Sequence, residues 1–283
     1  MDLTLERQTF TTEPLSPVLG AAVMGLDLRQ PLAESTKRAV YDAFVQYHVL
    51  CFRDQQLDQD QQIAFTEQFG TLERHMASNR GKVNPLVQIV SNLGADGKPS
   101  GKVSSTRWHS DKSFRPQPSL ATILHALVMP PDGGETCFAN MIAAYEALPQ
   151  DEKAELESAR VVHSWEISRK RMGSNATPEE IADAPPMSHP LVRTIPETGR
   201  KALFMGEHAA YFEGQPKEVG LARLEKLSAY AVEERFVYRH KWTAGEVLMW
   251  DNRCLLHCAN TNFDAARFPR MLQRTCVRGT APA

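Results

Sequence analysis

A mixed α and β fold is predicted for this 283-residue chain by three observations. Runs of β-branched and aromatic residues at 49–52, 121–128, 236–250 and 270–278 have strand composition and end near turn-forming residues. Stretches at 34–47, 58–69 and 216–234 instead place apolar residues at helical spacing. No repeat or low-complexity tract divides the chain, and its length suits one domain, 1–283, with a sizeable core.

Taken in order, residues 18–26 read as a strand. Residues 34–47 form a helix with Val40, Ala43, Phe44 and Tyr47 on one face and Ser35 or Thr36 near its start. A strand follows at 49–52. Asp58, with Gln61 three residues later, makes a capping-box pair that opens the helix at 58–69. Strand composition returns at 87–90 and 121–128. Helices at 141–148 and 151–158 are separated by Pro149, which cannot sit in a helix interior. Strands are expected at 191–194 and 202–205, and the amphipathic helix at 216–234 is a candidate contact for a homo-oligomer. In 236–250 the break at Thr243-Ala244-Gly245 predicts two strands joined by a turn, with His257 just beyond the second. In the strand at 270–278 a period of two puts Arg270, Leu272, Arg274, Cys276 and Arg278 on one face.

Composition narrows the function. A net charge of −2 with no block of like charges gives no footprint for nucleic acid or an anionic membrane surface. The start lacks a basic region followed by an apolar run, and no stretch is long enough to span a bilayer, so a cytoplasmic location is expected. Five cysteines at irregular positions, without a Cys-x-x-Cys, argue against a disulfide framework.

The chemistry concentrates in two places. With nine histidines and 34 acidic residues, a His-x-acid pair is expected roughly once by chance, so His109 and Asp111 alone prove little. If residues 107–114 are extended, however, both side chains project to the same side and can face one cation. His257 supplies a second imidazole, which makes a 2-His-1-carboxylate set, the arrangement that holds non-haem Fe(II) and leaves positions open. Arg270 and Arg274 follow closely, and their planar forks suit carboxylates better than lysine would. Cys254, His257 and Cys258 invite a zinc reading, but in an extended segment the two thiols lie opposite His257, and no second Cys/His cluster completes the set.

In several separated motifs, at 18–28, 57–70, 108–111, 131–138 and 249–257, the chain resembles the Fe(II)/2-oxoglutarate-dependent taurine and 2,4-dichlorophenoxyacetate dioxygenases over nearly its whole length. The resemblance implies a double-stranded β-helix (jelly roll) core with flanking helices, iron at one open end, and His109, Asp111 and His257 as iron ligands. It places Thr136 and Arg270 on the distal carboxylate of the cosubstrate 2-oxoglutarate, and Arg274, His75 and Ser105 near the primary substrate. O2 would be consumed, with release of succinate and CO2 and hydroxylation of a small organic anion. Because Asp111 provides the carboxylate ligand, no position is left for halide.

The gap from His257 to Arg270 is about two residues longer than the family pattern. A longer loop explains it, and the other alignment would make Arg267 the cosubstrate clamp. The stretches at 237–242 and 250–257 look closer to the phenoxyacetate-cleaving branch, which favours an aryloxyalkanoate such as 2,4-dichlorophenoxyacetate. The competing readings are a taurine, alkylsulfonate or sulfate-ester dioxygenase and a non-enzymatic metal-binding jelly-roll sensor. Residues 78–85 and 92–105, rich in Gly, Pro, Ser and Asn, are expected to be mobile as a lid, and the insert 168–190, containing Gly173-Ser174-Asn175-Ala176-Thr177-Pro178, is a second mobile candidate.

Overall fold

Residues 9–76 and 84–283 are described by a computed structural model, which for Lys217 gives only the backbone. Much of the expected lid at 78–85 lies outside these residues. The chain begins with strands β1 (Thr11–Pro14) and β2 (Ala21–Met24), the latter shorter than the expected 18–26 because Gly20 and Gly25, both at positive φ, turn the chain at each end. Helix α1 (Glu34–Tyr47) buries Val40, Ala43 and Phe44 and ends at His48 in the left-handed region, whose N–H donates to Phe44 O. Strand β3 (Val49–Phe52) follows at once. Helix α2 (Gln59–Glu67) opens with the Asp58–Gln61 capping box, worth about 1 kcal/mol.

Strands β4 (Gln88–Ser91), β5 (Ser119–Val128) and β6 (Thr136–Asn140) come next. Then follow α3 (Met141–Glu146), α4 (Gln150–Glu157), β7 (Arg160–His163), α5 (Trp165–Arg171), α6 (Pro178–Asp183) and β8 (Met187–Pro190). The segment 168–190, expected as a mobile insert, therefore holds secondary structure. Ser164 and Thr177 cap its two helices, and Thr177 shares a capping box with Glu180. Beyond it lie β9 (Val192–Thr194), β10 (Lys201–Leu203), β11 (Ala209–Phe212), α7 (Lys217–Ala231), β12 (Val237–His240), β13 (Val247–Asp251), β14 (Leu255–Ala259) and β15 (Met271–Arg278).

The largest sheet runs β1-β2-β3-β13-β5-β15-β4, and facing it is a three-stranded sheet, β12-β6-β14. Strands β12 and β13, expected to be joined by a turn, are so joined at 241–246, yet they do not pair. β12 pairs with β6, and β13 with β3 and β5, so the turn carries the chain from one sheet to the other. The fully buried run in β13 follows from its place at the centre of the large sheet. Val247 and Met249 join one apolar cluster with Phe44, Phe52 and Phe65 beneath α1 and α2. Leu248 and Trp250 point the other way, into the cluster shared with Phe138 and Leu256 of the facing sheet. With both faces covered, an apolar run replaces the alternation of a half-solvated strand. Across the layers the Phe138 and Trp250 rings meet edge to face, 5.5 Å apart.

Helix α7 packs on β11 and α3. No helix among the described residues is long and apolar enough to cross a membrane. All five cysteines are buried free thiols.

Two buried histidines make this packing acid-sensitive. His163 bonds Ser113 Oγ at 3.0 Å and His208 bonds Ser168 Oγ at 2.9 Å. Burial drives both below the ordinary imidazole value, His208 to about 3. Since the unfolded chain takes up protons first, their contribution is complete above pH 6.5 and is lost as pH falls below it. From pH 6.5 to 5 the loss is about 2 kcal/mol for His208, and His163 shifts stability in the same direction. Urea midpoints should accordingly drop between pH 7 and pH 5, and coincident midpoints would refute the assignment.

Candidate active site

His109 and His257 are brought together by a single antiparallel bridge: His109 N donates to His257 O at 3.0 Å, and His257 N to His109 O at 2.8 Å. The ring centroids lie 4.2 Å apart. His109 Nδ1 is within 2.8 Å of Arg107 O, which fixes the ring with Nε2 inward, 3.8 Å from Asp111 Oδ1. His257 Nε2 lies 3.7 Å from Asp111 Oδ2.

The segment 107–114 is not the extended strand expected from the sequence. Beyond the bridge the chain turns, with Lys112 in the left-handed region at φ 54°. Such a conformation costs on the order of 1–2 kcal/mol for a residue with a Cβ. It is held because Lys112 Nζ, itself buried, reaches Glu73 Oε2 at 3.1 Å and Arg74 O at 3.2 Å. The turn, not strand periodicity, aims Asp111 at the histidines.

Asp111 is gripped from behind. Thr122 Oγ1 donates to Asp111 Oδ2 at 2.6 Å, and Asn252 Nδ2 donates to Thr122 Oγ1 at 2.9 Å. Asn252 Oδ1 accepts from Asp111 N at 3.2 Å and from Trp250 Nε1 at 3.1 Å, and Ser110 Oγ donates to Asn252 O. Burial opposes ionisation of Asp111. The Arg274 guanidinium and the Thr122 hydrogen bond outweigh it and hold the carboxyl well below its usual range. Burial, with His109 adding to it, keeps His257 neutral.

A carboxylate and two neutral imidazoles are the protonation states that a divalent transition metal requires. All three side chains are buried and their ligand atoms lie within 4.8 Å of one another. Ligands at right angles on an octahedral ion stand about 3 Å apart. The 3.7 and 3.8 Å separations close onto one ion with a sub-ångström shift. The residues thus fit Fe(II). Two other His/Cys/acid groupings occur among the described residues. In one, Asp251 is already occupied by Arg253; in the other, both His240 nitrogens are engaged, by Tyr238 and Glu246.

The expected anion-binding side chains come from β6, which carries Thr136, and from β15 with the residue just before it, Arg274 and Arg270. Arg270 is buried; its Nε donates to Gly134 O at 2.9 Å and a terminal nitrogen to Thr136 Oγ1 at 3.3 Å. Gly134 has φ +70°, and a Cβ there would come within 2.9 Å of Pro130 Cγ and 3.4 Å of Arg270 Cδ, so glycine permits this approach. Burial lowers the Arg270 pKa to about 10, with only Glu135 opposing. An incoming carboxylate would relieve that desolvation.

Arg274 lies 3.2 Å from Asp111 Oδ1, and among the described residues its Nε has no hydrogen-bond partner. His75 is buried, not an exposed loop residue. Burial, then Arg274 and Lys112, depress its pKa to about 2. Ser105 is exposed at φ 59° and engages Ala259 N through its carbonyl. Arg267 is exposed, over the Phe268 ring. Arg278 is exposed too, because a bulge after Val277 breaks the period of two. The expected lid at 92–105 is a folded loop, bridged at Leu93 and Pro99 and tied through Asn92 Nδ2 to Ala265 O and Phe268 O.

Several site residues escaped the sequence reading. Thr122 carries no motif of its own, although a threonine inside the apolar run of β5 is an unusual buried hydroxyl, and Asn252 lies in the motif at 249–257 without its role being legible there. Trp242, whose indole donates to Thr136 Oγ1, looked like ordinary strand composition. Beside His109 stands a wall of Phe114, Trp165 and His208. The His208 centroid is 6.3 Å from that of His109 and 4.9 Å from that of Phe114, and Phe114 and Trp165 are 5.0 Å apart. Asn252→Ala should weaken metal binding roughly 10- to 100-fold, the usual effect of losing a ligand's support. A metal titration with unchanged affinity would show that Thr122 alone holds Asp111.

Comparison with known proteins places the chain among 2-oxoglutarate-dependent dioxygenases. The chain is 42% identical over 258 residues, 86% of its length and 90% of the relative's, to an alpha-ketoglutarate-dependent 2,4-dichlorophenoxyacetate dioxygenase of Cupriavidus pinatubonensis. It is 41% identical over 285 residues to a protein of the same description from a Burkholderia strain, covering 96% of this chain and 95% of that one. A crystal structure of AAD-2 in complex with Mn(II) and N-oxalylglycine superposes with a TM-score of 0.85 at 38% identity, covering 96% of this chain and 99% of that one. The family described as taurine catabolism dioxygenase TauD, TfdA family, matches residues 11–276, and the chain belongs to that family.

Proposed function

We propose that the chain is an Fe(II)- and 2-oxoglutarate-dependent dioxygenase that hydroxylates a small aryloxyalkanoate, with 2,4-dichlorophenoxyacetate as the type substrate. The observation that carries this is the meeting of a buried His109–Asp111–His257 set with a buried arginine and threonine that are hydrogen-bonded to each other. A metal-binding sensor has no need of that second element. The whole chain acts as one domain, and the two facing sheets are the two halves of a double-stranded β-helix with the site between them.

When bound, Fe(II), 2-oxoglutarate and O2 supply the oxidising power that yields succinate and CO2 and places one oxygen atom in a substrate C–H bond. His109, Asp111 and His257 hold the metal on one side and leave the other open. Arg270 and Thr136 fix the far carboxylate of 2-oxoglutarate by charge-assisted bonds, which orients its keto-acid end toward the metal. Arg274, with His75 beside it, receives the carboxylate of the primary substrate. The Phe114, Trp165 and His208 rings, packed against one another beside His109, offer the apolar surface for an aryl group. Hydroxylation of the carbon next to an ether oxygen gives a hemiacetal that separates into a phenol and an aldehyde or keto acid.

The test is succinate formation in air and under anaerobic conditions, with Fe(II) and 2-oxoglutarate, across phenoxyacetates, 2-phenoxypropionates, taurine and alkyl sulfates. Oxygen-dependent succinate stimulated by the aryloxy acids supports the reading. Stimulation by taurine or alkyl sulfates alone would move the substrate to sulfonates or sulfate esters. Ligand binding without turnover on any of them would favour the sensor.

A further inference from the structure

The Thr136 hydroxyl has one proton to give and two lone pairs to receive with. Both donors around it are described: Trp242 Nε1 at 3.0 Å and an Arg270 terminal nitrogen at 3.3 Å. Indole and guanidinium nitrogens donate and do not accept, so neither can take the Thr136 proton. Among the described residues the hydroxyl donates to no acceptor, although Thr136 is buried. With its acceptor capacity taken on two sides, the O–H is turned toward the remaining direction.

The indole is itself held in place. Trp242 meets the His240 ring edge-on at 4.8 Å. His240 Nε2 is bonded to Glu246 Oε2 at 3.0 Å and Nδ1 to Tyr238 Oη at 2.9 Å, while Thr243 N donates to the same Glu246 oxygen at 2.8 Å. Strand register then places His240 opposite Thr136 on the neighbouring strand. The turn that carries the chain between the two sheets thus presents, near its start, an N–H directed at Thr136.

We propose that Trp242 is a cosubstrate-positioning residue: its indole N–H, together with Arg270, fills the acceptor side of Thr136 and directs the hydroxyl proton onto the distal carboxylate of 2-oxoglutarate. This rests on Thr136 and Arg270 being the clamp. It adds that the hydroxyl works as an oriented donor, set by a residue that does not touch the ligand. Removing the indole N–H frees Thr136 to rotate and spend its proton elsewhere, so affinity falls although every group that touches the ligand remains.

The experiment is calorimetric titration of the Mn(II)-loaded protein with N-oxalylglycine, a non-reacting analogue of 2-oxoglutarate. Trp242→Phe is expected to weaken binding about threefold to tenfold, the worth of one net hydrogen bond. In a Thr136→Val background the same change should alter affinity less than twofold, because the coupling passes through the hydroxyl. Replacing Trp242 by benzothienylalanine, which keeps the bicyclic shape and removes only the N–H, should reproduce the loss without disturbing packing. In turnover, the KM for 2-oxoglutarate should rise several-fold more than kcat falls, with the KM for the primary substrate little changed. Equal losses in both backgrounds, or full affinity with benzothienylalanine, would overturn the proposal and make the indole a packing residue. If Thr136→Val binds N-oxalylglycine as tightly as the parent, the clamp assignment itself fails and the proposal falls with it.

Discussion

Replacing Asp111 by alanine is expected to abolish turnover and metal retention together, an effect larger than the roughly 100-fold that loss of a supporting residue brings. Two imidazoles remain, but the carboxylate of the set is gone. Arg274, 3.2 Å from the carboxylate, becomes a buried cation beside an empty position and repels an incoming divalent ion. Thr122 and Asn252 also lose the group they hold. Metal content after dialysis and oxygen-dependent succinate release both report the loss. Turnover within tenfold of the parent, with metal retained, would remove Asp111 from the ligand set.

Arg270→Ala should raise the 2-oxoglutarate requirement by about 30-fold to several thousand-fold, corresponding to roughly 2–5 kcal/mol for breaking a buried, hydrogen-bonded charge pair. The Arg270 guanidinium is already desolvated and held in plane by Gly134 O, so its charge and geometry are prepared before the ligand arrives. Lysine should rescue little, since it offers one point charge in place of a fork. Arg267→Ala, at an exposed side chain, serves as the comparison and should leave the requirement nearly unchanged. Arg274→Ala should weaken the primary substrate more than the cosubstrate. Titration of 2-oxoglutarate and substrate against succinate formation separates the three, and a large effect from Arg267→Ala alone would place the clamp elsewhere.

These expectations rest on parts of the molecule that were unequally visible in the sequence. Helix α1 matches its expected bounds, and α2 begins at the expected capping box, because helix termini are written in local hydrogen bonds. Strand β3 was similarly legible. Strands β12 and β13 were located correctly, but their partners were not, since nothing within the turn at 241–246 states that the chain changes sheets. The Gly173-Ser174-Asn175 break and the prolines of 168–190 concealed the end of one capped helix and the whole of another, which form where Ser164 and Thr177 supply the side-chain acceptors.

At the site, the chemical inventory could be read directly: two imidazoles, a carboxylate, and two arginines four residues apart on one strand. The mechanism by which Asp111 faces the histidines could not. A left-handed Lys112 is unfavourable taken alone and is held by Glu73 and the carbonyl of Arg74, residues nearly forty positions away. Likewise, Arg267 and Arg270 were both candidates by spacing, and their burial separates them: one lies on the surface, the other beside Thr136.

By itself the sequence determined the kinds of group available, the local helices and the strand composition, because each depends on neighbours a few residues apart. Only the tertiary structure decided which sheet each strand joins, which arginine is desolvated, and that Thr122, Asn252 and Trp242 stand behind the ligands. Those outcomes depend on contacts between distant segments, such as Trp242 with Thr136 or Asn252 with Thr122, and such contacts leave no periodic trace in the chain.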